Sequence, residues 1–450
     1  MLHALSIFLT AYDPSDLPGS SVDPMGFDRG YTFLADSILP GMTNVASRPR
    51  YLSVLCTGVF LADVDPDVSP RRQRDRRREC ALRFERLWAM ANALASRRTD
   101  ISPSGIRGIT YVHHEMDRLE RKGASAASAK YKLLARQQQY GMFGMYGAIA
   151  ENMRFLERRS LILTPDAGAR LAEVFIDEAE VPQPVRRAVK ADKDDVNVSL
   201  DVLRDWGERA HVEATPKDGE ARLLREALHR DPVRSRMVAV LAEHPRLVSD
   251  GDDADAEQRR LSRLAGMLGP WGENADLRAA MFAILAYERC YRLSMLAFER
   301  ILWLCRVGPS GVLSPSSLLS DEVLLQTADA FPGAVDSLAS ALDAMKEAAP
   351  TLGFNRIEDV RQFLLKAASS AGDVMMFSRM VLSRHADIQH GKFDRGRRKM
   401  PWVQETIQGI GLTMTRAGGR DFEVARPERI SPHYYRLGSA DMFLKQGGTR

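Results

Sequence analysis

One stretch limits the folds open to this 450-residue chain more than any other, and it runs from Asp276 to Arg306. Met281, Ile284, Leu285, Tyr291, Met295, Leu296, Phe298, Ile301, Leu302 and Trp303 recur there at helical spacing. They cover much of the helix circumference, and a helix apolar on most sides has to be surrounded by others. The periodicity predicts those neighbours. Ser320 starts a helix over Asp321–Phe331, and further helices span Ala334–Ala348, Ile357–Ala368 and Asp373–Gln389. Val374, Met375, Phe377, Met380, Val381 and Ile388 of the last one read as core packing. None of this can lie in a membrane: the apolar run Ala279–Tyr287 is too short to span one, and Glu288 and Arg289 interrupt it.

The rest of the chain divides by character. Ser6–Tyr12 is a β-rich run that ends at Asp13-Pro14 and fits a strand or a docking arm. Without a basic leader region or a cleavage site it is not read as a signal peptide. Gly30–Pro40 predicts a short helix closed by proline, and Tyr51–Ala62 a buried helix whose valines leave a strand open. Ala81–Ala95 is helical, with Phe84, Leu87, Trp88, Ala91 and Leu94 on one side. Residues 181–220 are polar and suit a linker or a helical hairpin. Ala221–His244 is helical with a break at Asp231-Pro232, and the acidic run Asp250–Asp255 marks a boundary between halves. The organisation expected is therefore 1–122, a mostly helical domain; 123–180, a compact module; 181–258, a charged helical or linker region; and 259–450, a helical bundle. After the bundle, Ile410–Thr415 and Phe422–Ala425 predict a small strand pair.

Charge is where the sequence points to function. The net charge is only +4, so clustering matters more than the total. Arg71, Arg72, Arg74, Arg76, Arg77 and Arg78 fill six of eight positions just before a helix, where the dipole disfavours cations. They form either a solvated loop or a face turned toward an anion. A second cluster, Lys392, Arg395, Arg397, Arg398 and Lys399, lies between the Asp373–Gln389 helix and Pro401-Trp402. Cations beside glycines and aromatic rings suit phosphates and bases.

Between these clusters, residues 125–178 predict helix (Ser125–Tyr140), glycine turn, helix (Met145–Arg158), short strand (Arg159–Leu163) and a helix started by Thr164-Pro165-Asp166. That order resembles a winged-helix module. The resemblance implies a second helix able to enter the major groove. Carried onto this chain, it makes Lys130, Lys132, Arg136, Gln137, Asn152, Arg154, Arg158 and Arg159 candidate contacts. The strand is too short for a long wing, and Met145–Leu156 is poor in base-reading side chains.

Catalytic signatures are sparse. No phosphate-binding loop, dinucleotide fingerprint, HExxH or GxSxG is present. Cys56, Cys80, Cys290 and Cys305 lack metal or disulfide spacing, and their sparse use fits a reducing cytoplasm. His113-His114-Glu115 and His385/His390 are badly placed for a shared ion, since adjacent helical residues point about 100° apart. No metal or cofactor is expected. Asp387, Lys392 and Asp394 are the groups a metal-dependent nuclease could use, if the fold assembled them.

Two blocks, Gly26–Ala62 and Arg384–Val403 with its GKFDRGRRKMPWV core, resemble a family of bacterial proteins associated with phage-defence gene clusters. The resemblance implies a role in antiviral defence beside partner proteins and carries over no catalytic residues. The expectation is thus a mainly α-helical, multi-domain cytoplasmic protein with an embedded winged-helix-like module. Its expected role is a non-catalytic nucleic-acid-binding subunit, DNA before RNA, of a defence complex. A metal-dependent nuclease and a protein assembly scaffold are the alternatives.

Overall fold

The structure is a computed structural model. It describes residues 23–447 apart from 63, 100, 104, 192–195, 248–250, 252, 308–311, 395–396, 407–408 and 413–425. The strands expected at Ser6–Tyr12 and Phe422–Ala425 lie outside the described residues. The helices are α1 (Asp28–Asp36), α2 (Arg50–Phe60), α3 (Pro70–Thr99), α4 (Ile109–Arg121), α5 (Gln137–Tyr140), α6 (Met142–Asn152), α7 (Arg170–Glu178), α8 (Gln183–Lys190), α9 (Leu200–Arg209), α10 (Asp218–Leu228), α11 (Pro232–Glu243), α12 (Ala254–Met267), α13 (Ala275–Val307), α14 (Pro315–Leu319), α15 (Glu322–Ala348), α16 (Asn355–Ser369), α17 (Val374–His390) and a last helix, Leu437–Gln446. The fold is mainly helical, with strands in short pairs and one three-stranded sheet. No helix among the described residues is long and apolar enough to cross a membrane. Two compact units emerge. One joins the segment up to Pro40 to Arg246–Tyr435; the other joins Gly41–Pro245 to the C-terminal residues from Arg436.

The unit starting at Gly41 is built on α2 and α3. Every residue from Arg50 to Val59 is buried, because α3, α6 and α7 close over different sides of α2. This settles the open choice at that segment in favour of a helix. α9 packs along α3, where Gly207 permits close approach: a Cβ there would lie 2.0 Å from the Ala91 carbonyl oxygen. Trp88 Nε1 donates to the Ala210 carbonyl at 2.6 Å, and Asn92 Oδ1 accepts from Val212 N at 2.7 Å, so α3 also holds the chain beyond α9. Asp231 caps α11 through Arg234 N at 2.9 Å, which is the break read at Asp231-Pro232.

Residues 125–163 differ from expectation. Ala126–Ser128 (β1) is a strand, paired antiparallel with Asn197–Ser199 (β4). From this strand onward Ala127, Ala129, Tyr131 and Leu133 are buried, while Lys130 and Lys132 between them are exposed. That alternation belongs to extended chain, and helix forms only at Gln137–Tyr140. α6 begins directly after Gly141 and stops at Asn152, because Arg154 takes a left-handed φ of 59°. The chain then forms a hairpin, Leu156–Glu157 (β2) against Ile162–Leu163 (β3). Thr164 starts the next helix as expected: its side chain accepts from Gly168 N at 3.1 Å, and a π-type turn at Pro165–Ala169 leads into α7.

In the other unit α13 is the central post, flanked by α12, α15, α17 and α1. The two helices expected at Asp321–Phe331 and Ala334–Ala348 are one, α15, which carries Pro332 inside it. Proline removes one backbone bond there, and packing along α13 keeps the two halves in line. The cap is Asp321, not Ser320. Its carboxylate accepts from Leu324 N at 3.0 Å and is gripped by the buried Arg300 guanidinium at 2.7–3.0 Å. Gly409–Leu412 (β9) is a strand in the expected place. Its partners among the described residues are Val403–Thr406 (β8) and Val312–Leu313 (β5).

Candidate functional site

The six-arginine run does not precede α3; it forms the helix's first turns, starting at Pro70. Proline suits that position because its missing N–H has no partner there anyway. Arginines three and four apart share a stripe on a helix, so Arg71, Arg74 and Arg78 line up. Three of the six have work inside the protein. Arg76 donates to the Lys190 carbonyl at the end of α8, and Arg77 donates to the Ser160 carbonyl in the β2–β3 turn at 3.4 Å. Arg78 pairs with Asp75 at 3.0 Å. Arg71, Arg72 and Arg74 are exposed and have no hydrogen-bond or ion-pair partner among the described residues. The first turn contains no acid, so the helix dipole and three guanidinium groups add up at one end.

The bond from Arg77 brings the β2–β3 hairpin beside this helix end, and with it the exposed Arg159. Arg158 is half-buried, and its backbone N donates to Glu151 at 3.4 Å. Arg154 is exposed at the hairpin's base, near Arg230, whose guanidinium donates to the Met153 carbonyl at 2.6 Å. The other residues carried over from the winged-helix resemblance do not join this face. Lys130, Lys132 and Arg136 sit on the extended segment held by Arg86, which donates to the Ala129 carbonyl at 3.0 Å and to Gln137 Oε1 at 2.9 Å. Arg77 and Arg86 are nine residues apart, about 180° around a helix. The hairpin and the Lys130–Arg136 segment therefore attach to opposite sides of α3. Gln137 is buried and also bonds Glu85 at 2.7 Å, and Asn152 bonds the Gly41 carbonyl at 3.4 Å, so both have internal tasks.

The second basic cluster belongs to the other unit. Phe393–Asp394 (β6) pairs with Arg397–Arg398 (β7), and Lys399 N donates to the Lys392 carbonyl at 2.9 Å. Arg397 and Arg398 are exposed; Arg395 lies outside the described residues. The exit is fixed by His385, which is fully buried at the end of α17. Its Nε2 accepts from Trp402 N at 2.9 Å, so Nδ1 carries the proton and donates to the Pro24 carbonyl at 3.0 Å. His385 is thereby a structural clamp. Of the nuclease set read from Asp387, Lys392 and Asp394, Asp387 is exposed and Lys392 turns to the start of α1.

That turn leads to a cluster that no local sequence pattern announces. Asp23 accepts from Gly26 N at 2.7 Å and Asp28 N at 2.9 Å, fixing the entry to α1, and Lys392 Nζ donates to the Asp23 carbonyl. The half-buried Asp28 carboxyl is pushed up to about 7 by burial and by the charge of Asp23, against the pull of His433 and Lys392. Burial lowers the Lys392 ammonium, an effect Asp23 and Asp28 partly offset and Lys399 reinforces. His433 donates from Nδ1 to Glu288 Oε1 at 2.8 Å, and its backbone N donates to Glu288 Oε2 at 3.0 Å. Tyr435 Oη donates to the same carboxylate at 2.7 Å. Burial works against a charged imidazole here, but Glu288, Asp28 and Asp23 outweigh it and hold His433 above its ordinary value. Tyr31 stacks on the His433 ring at 4.6 Å, and Tyr291 lies at 4.0 Å. His433 lies 145 residues after Glu288, so no local spacing could have announced the pair.

Among the described residues, no group of three or more His, Cys, Asp or Glu side chains is arranged to hold a metal ion. His113 and His114 lie on α4 and belong to no such group. The chain matches no protein-family model, no curated protein and no solved structure.

Proposed function

We propose that this protein binds nucleic acid through phosphate contacts, DNA in preference to RNA, and does so chiefly at the start of α3. The observation that carries the reading is the trio Arg71, Arg72 and Arg74, which is exposed and has no acidic partner among the described residues, on the first turns of a 30-residue helix. Concentrating cation on a helix N-terminus is unfavourable in isolation; an anionic partner relieves it. Arg159 on the neighbouring hairpin extends the same face, so the β2–β3 turn serves as a short wing lying against the backbone. Such contacts fix position without reading sequence. The exposed Arg397 and Arg398 provide a second basic element in the other unit. In the setting implied by the resemblance to phage-defence proteins, this is the nucleic-acid-holding subunit of a complex.

The reading is tested by fluorescence anisotropy with a labelled duplex at low salt, comparing the wild type with an R71Q/R72Q/R74Q variant. A loss of at least tenfold in affinity is expected, with melting behaviour unchanged because the three side chains are exposed. Equal affinity would remove the start of α3 from the interface.

A further inference from the structure

We infer that one face of the β6–β7 hairpin, made by Phe393, Arg398 and Met400, is a stacking platform for single-stranded nucleic acid. The Phe393 ring takes an unpaired base, and Arg398 takes the adjoining phosphate. The inference rests on the reading of this chain as a nucleic-acid binder, but on none of the arginines of α3.

The register of the hairpin sets its two faces. Phe393 stands opposite Arg398, and Asp394 opposite Arg397. The bond from Lys399 N to the Lys392 carbonyl adds a third pair. Opposed residues of an antiparallel pair share a side, and sides alternate along each strand. The side holding Lys392 and Lys399 is turned toward the protein: Lys392 Nζ donates to the Asp23 carbonyl, and Lys399 is half-buried. The other side meets solvent. Phe393 is 51 % exposed and Met400 56 %, and Arg398 is exposed as well. Lys392 and Lys399 form a hydrogen-bonded pair, so Phe393 and Arg398 next to them form a non-hydrogen-bonded one, in which side chains lie closest. Pro401 favours extended chain at Met400, so the alternation continues and Met400 becomes the diagonal neighbour of Phe393. The hairpin is held at both ends, by Lys392 on one strand and by the bond from Trp402 N to His385 Nε2 at 2.9 Å after the other. A platform fixed in this way loses little ordering entropy on binding.

Charge and ring together choose the occupant. Trp402 packs against His385 and Phe298, whereas Phe393 makes no ring contact among the described residues. Arg397 and Arg398 make no hydrogen bond or ion pair among them either. Asp394 is opposite Arg397 in register, which leaves Arg398 with no acid across from it. Glu405 on the following strand is already paired with Arg379 at 2.8 Å. The face therefore offers a free ring beside an uncompensated guanidinium, and a nucleotide answers both, with a flat base and a phosphate. A duplex keeps its base faces stacked on one another, while a single strand can lend one to a side chain. Every base has such a face, so the platform holds a strand without reading its sequence.

The test measures anisotropy of the full chain with a labelled oligothymidylate of about 12 nucleotides at low salt, and with an abasic deoxyribose-phosphate strand of the same length. F393A should bind the oligothymidylate about tenfold more weakly or worse, and F393W should keep the wild-type affinity. On the abasic strand, which has phosphates but nothing to stack, F393A and the wild type should be equal. R398Q should flatten the slope of log affinity against log salt by about 0.7, and F393A should leave that slope unchanged. The side chains are exposed, so each variant should melt like the wild type. The inference is overturned if F393A binds oligothymidylate as the wild type does, if its loss is as large on the abasic strand, or if R398Q keeps the wild-type slope. Wild-type behaviour of F393A, with duplex binding lost in R71Q/R72Q/R74Q, would sink this inference and spare the reading at α3. Duplex binding kept in R71Q/R72Q/R74Q, with strand binding lost in F393A, would do the reverse.

Discussion

Replacing Glu220 with glutamine should be among the most damaging single changes in the unit starting at Gly41. Glu220 is fully buried on α10, and Arg50 opposite it is 2 % exposed. The pair is bidentate, with Nε to Oε1 at 3.3 Å and Nη2 to Oε2 at 2.9 Å. Arg50 Nη1 also donates to the carbonyls of Arg209, His211 and Ala214, at 3.2, 2.9 and 3.4 Å. One guanidinium thus ties α2 to α10 and to the turn after α9. E220Q keeps the shape and removes the charge, so a guanidinium stays out of water without its counterion. Breaking a buried pair from one side costs about 3–5 kcal/mol. Removing both charges together, in R50M/E220L, should cost much less than the sum of the two single changes, because desolvation is relieved on both sides. Urea unfolding followed by hydrogen exchange of the α2 amides reports on this unit alone. A cost below about 1 kcal/mol for E220Q would refute the idea that the pair organises the unit.

Three other outcomes follow from the same geometry. Asp28 binds a proton more tightly when folded than when unfolded, so its presence lowers stability as pH rises from about 4 to about 7. D28N should therefore melt higher than the wild type at pH 8, by at most about 4 kcal/mol at 1.36 kcal/mol per pH unit, and equally at pH 4; equal melting at pH 8 would contradict the burial argument. G207A places a methyl against the Ala91 carbonyl and should cost about 1–3 kcal/mol by chemical denaturation. T164A loses the bond to Gly168 N and should cost about 1 kcal/mol by the same measurement.

The sequence was most informative where one helical period dominated. α13, α16, α17 and the α10–α11 break at Asp231-Pro232 could all be read in advance, because burial of one stripe and a capping aspartate are local signals. Residues 125–134 misled because lysines and alanines have high helix propensity. The competing signal, alternation of Ala127, Ala129, Tyr131 and Leu133 with polar residues, was present, and pairing with β4 decided it. Pro332 looked like a helix end, but packing along α13 overrode it. At the arginine face, clustering was legible; which arginines are spent internally was not, since the carbonyls of Ser160 and Lys190 that engage Arg77 and Arg76 lie 83 and 114 residues away in sequence. The Asp28–His433 cluster was invisible for the same reason, being assembled from α1, α13, the basic hairpin and the segment before the last helix.

The central claim, phosphate contact at the start of α3, is tested most directly by the salt dependence of duplex binding. Each phosphate contact contributes about 0.9 to the slope of log affinity against log salt. Loss of Arg71, Arg72 and Arg74 should therefore flatten that slope by about 2 to 3 relative to the wild type. An identical slope in R71Q/R72Q/R74Q would show that these arginines meet no phosphate.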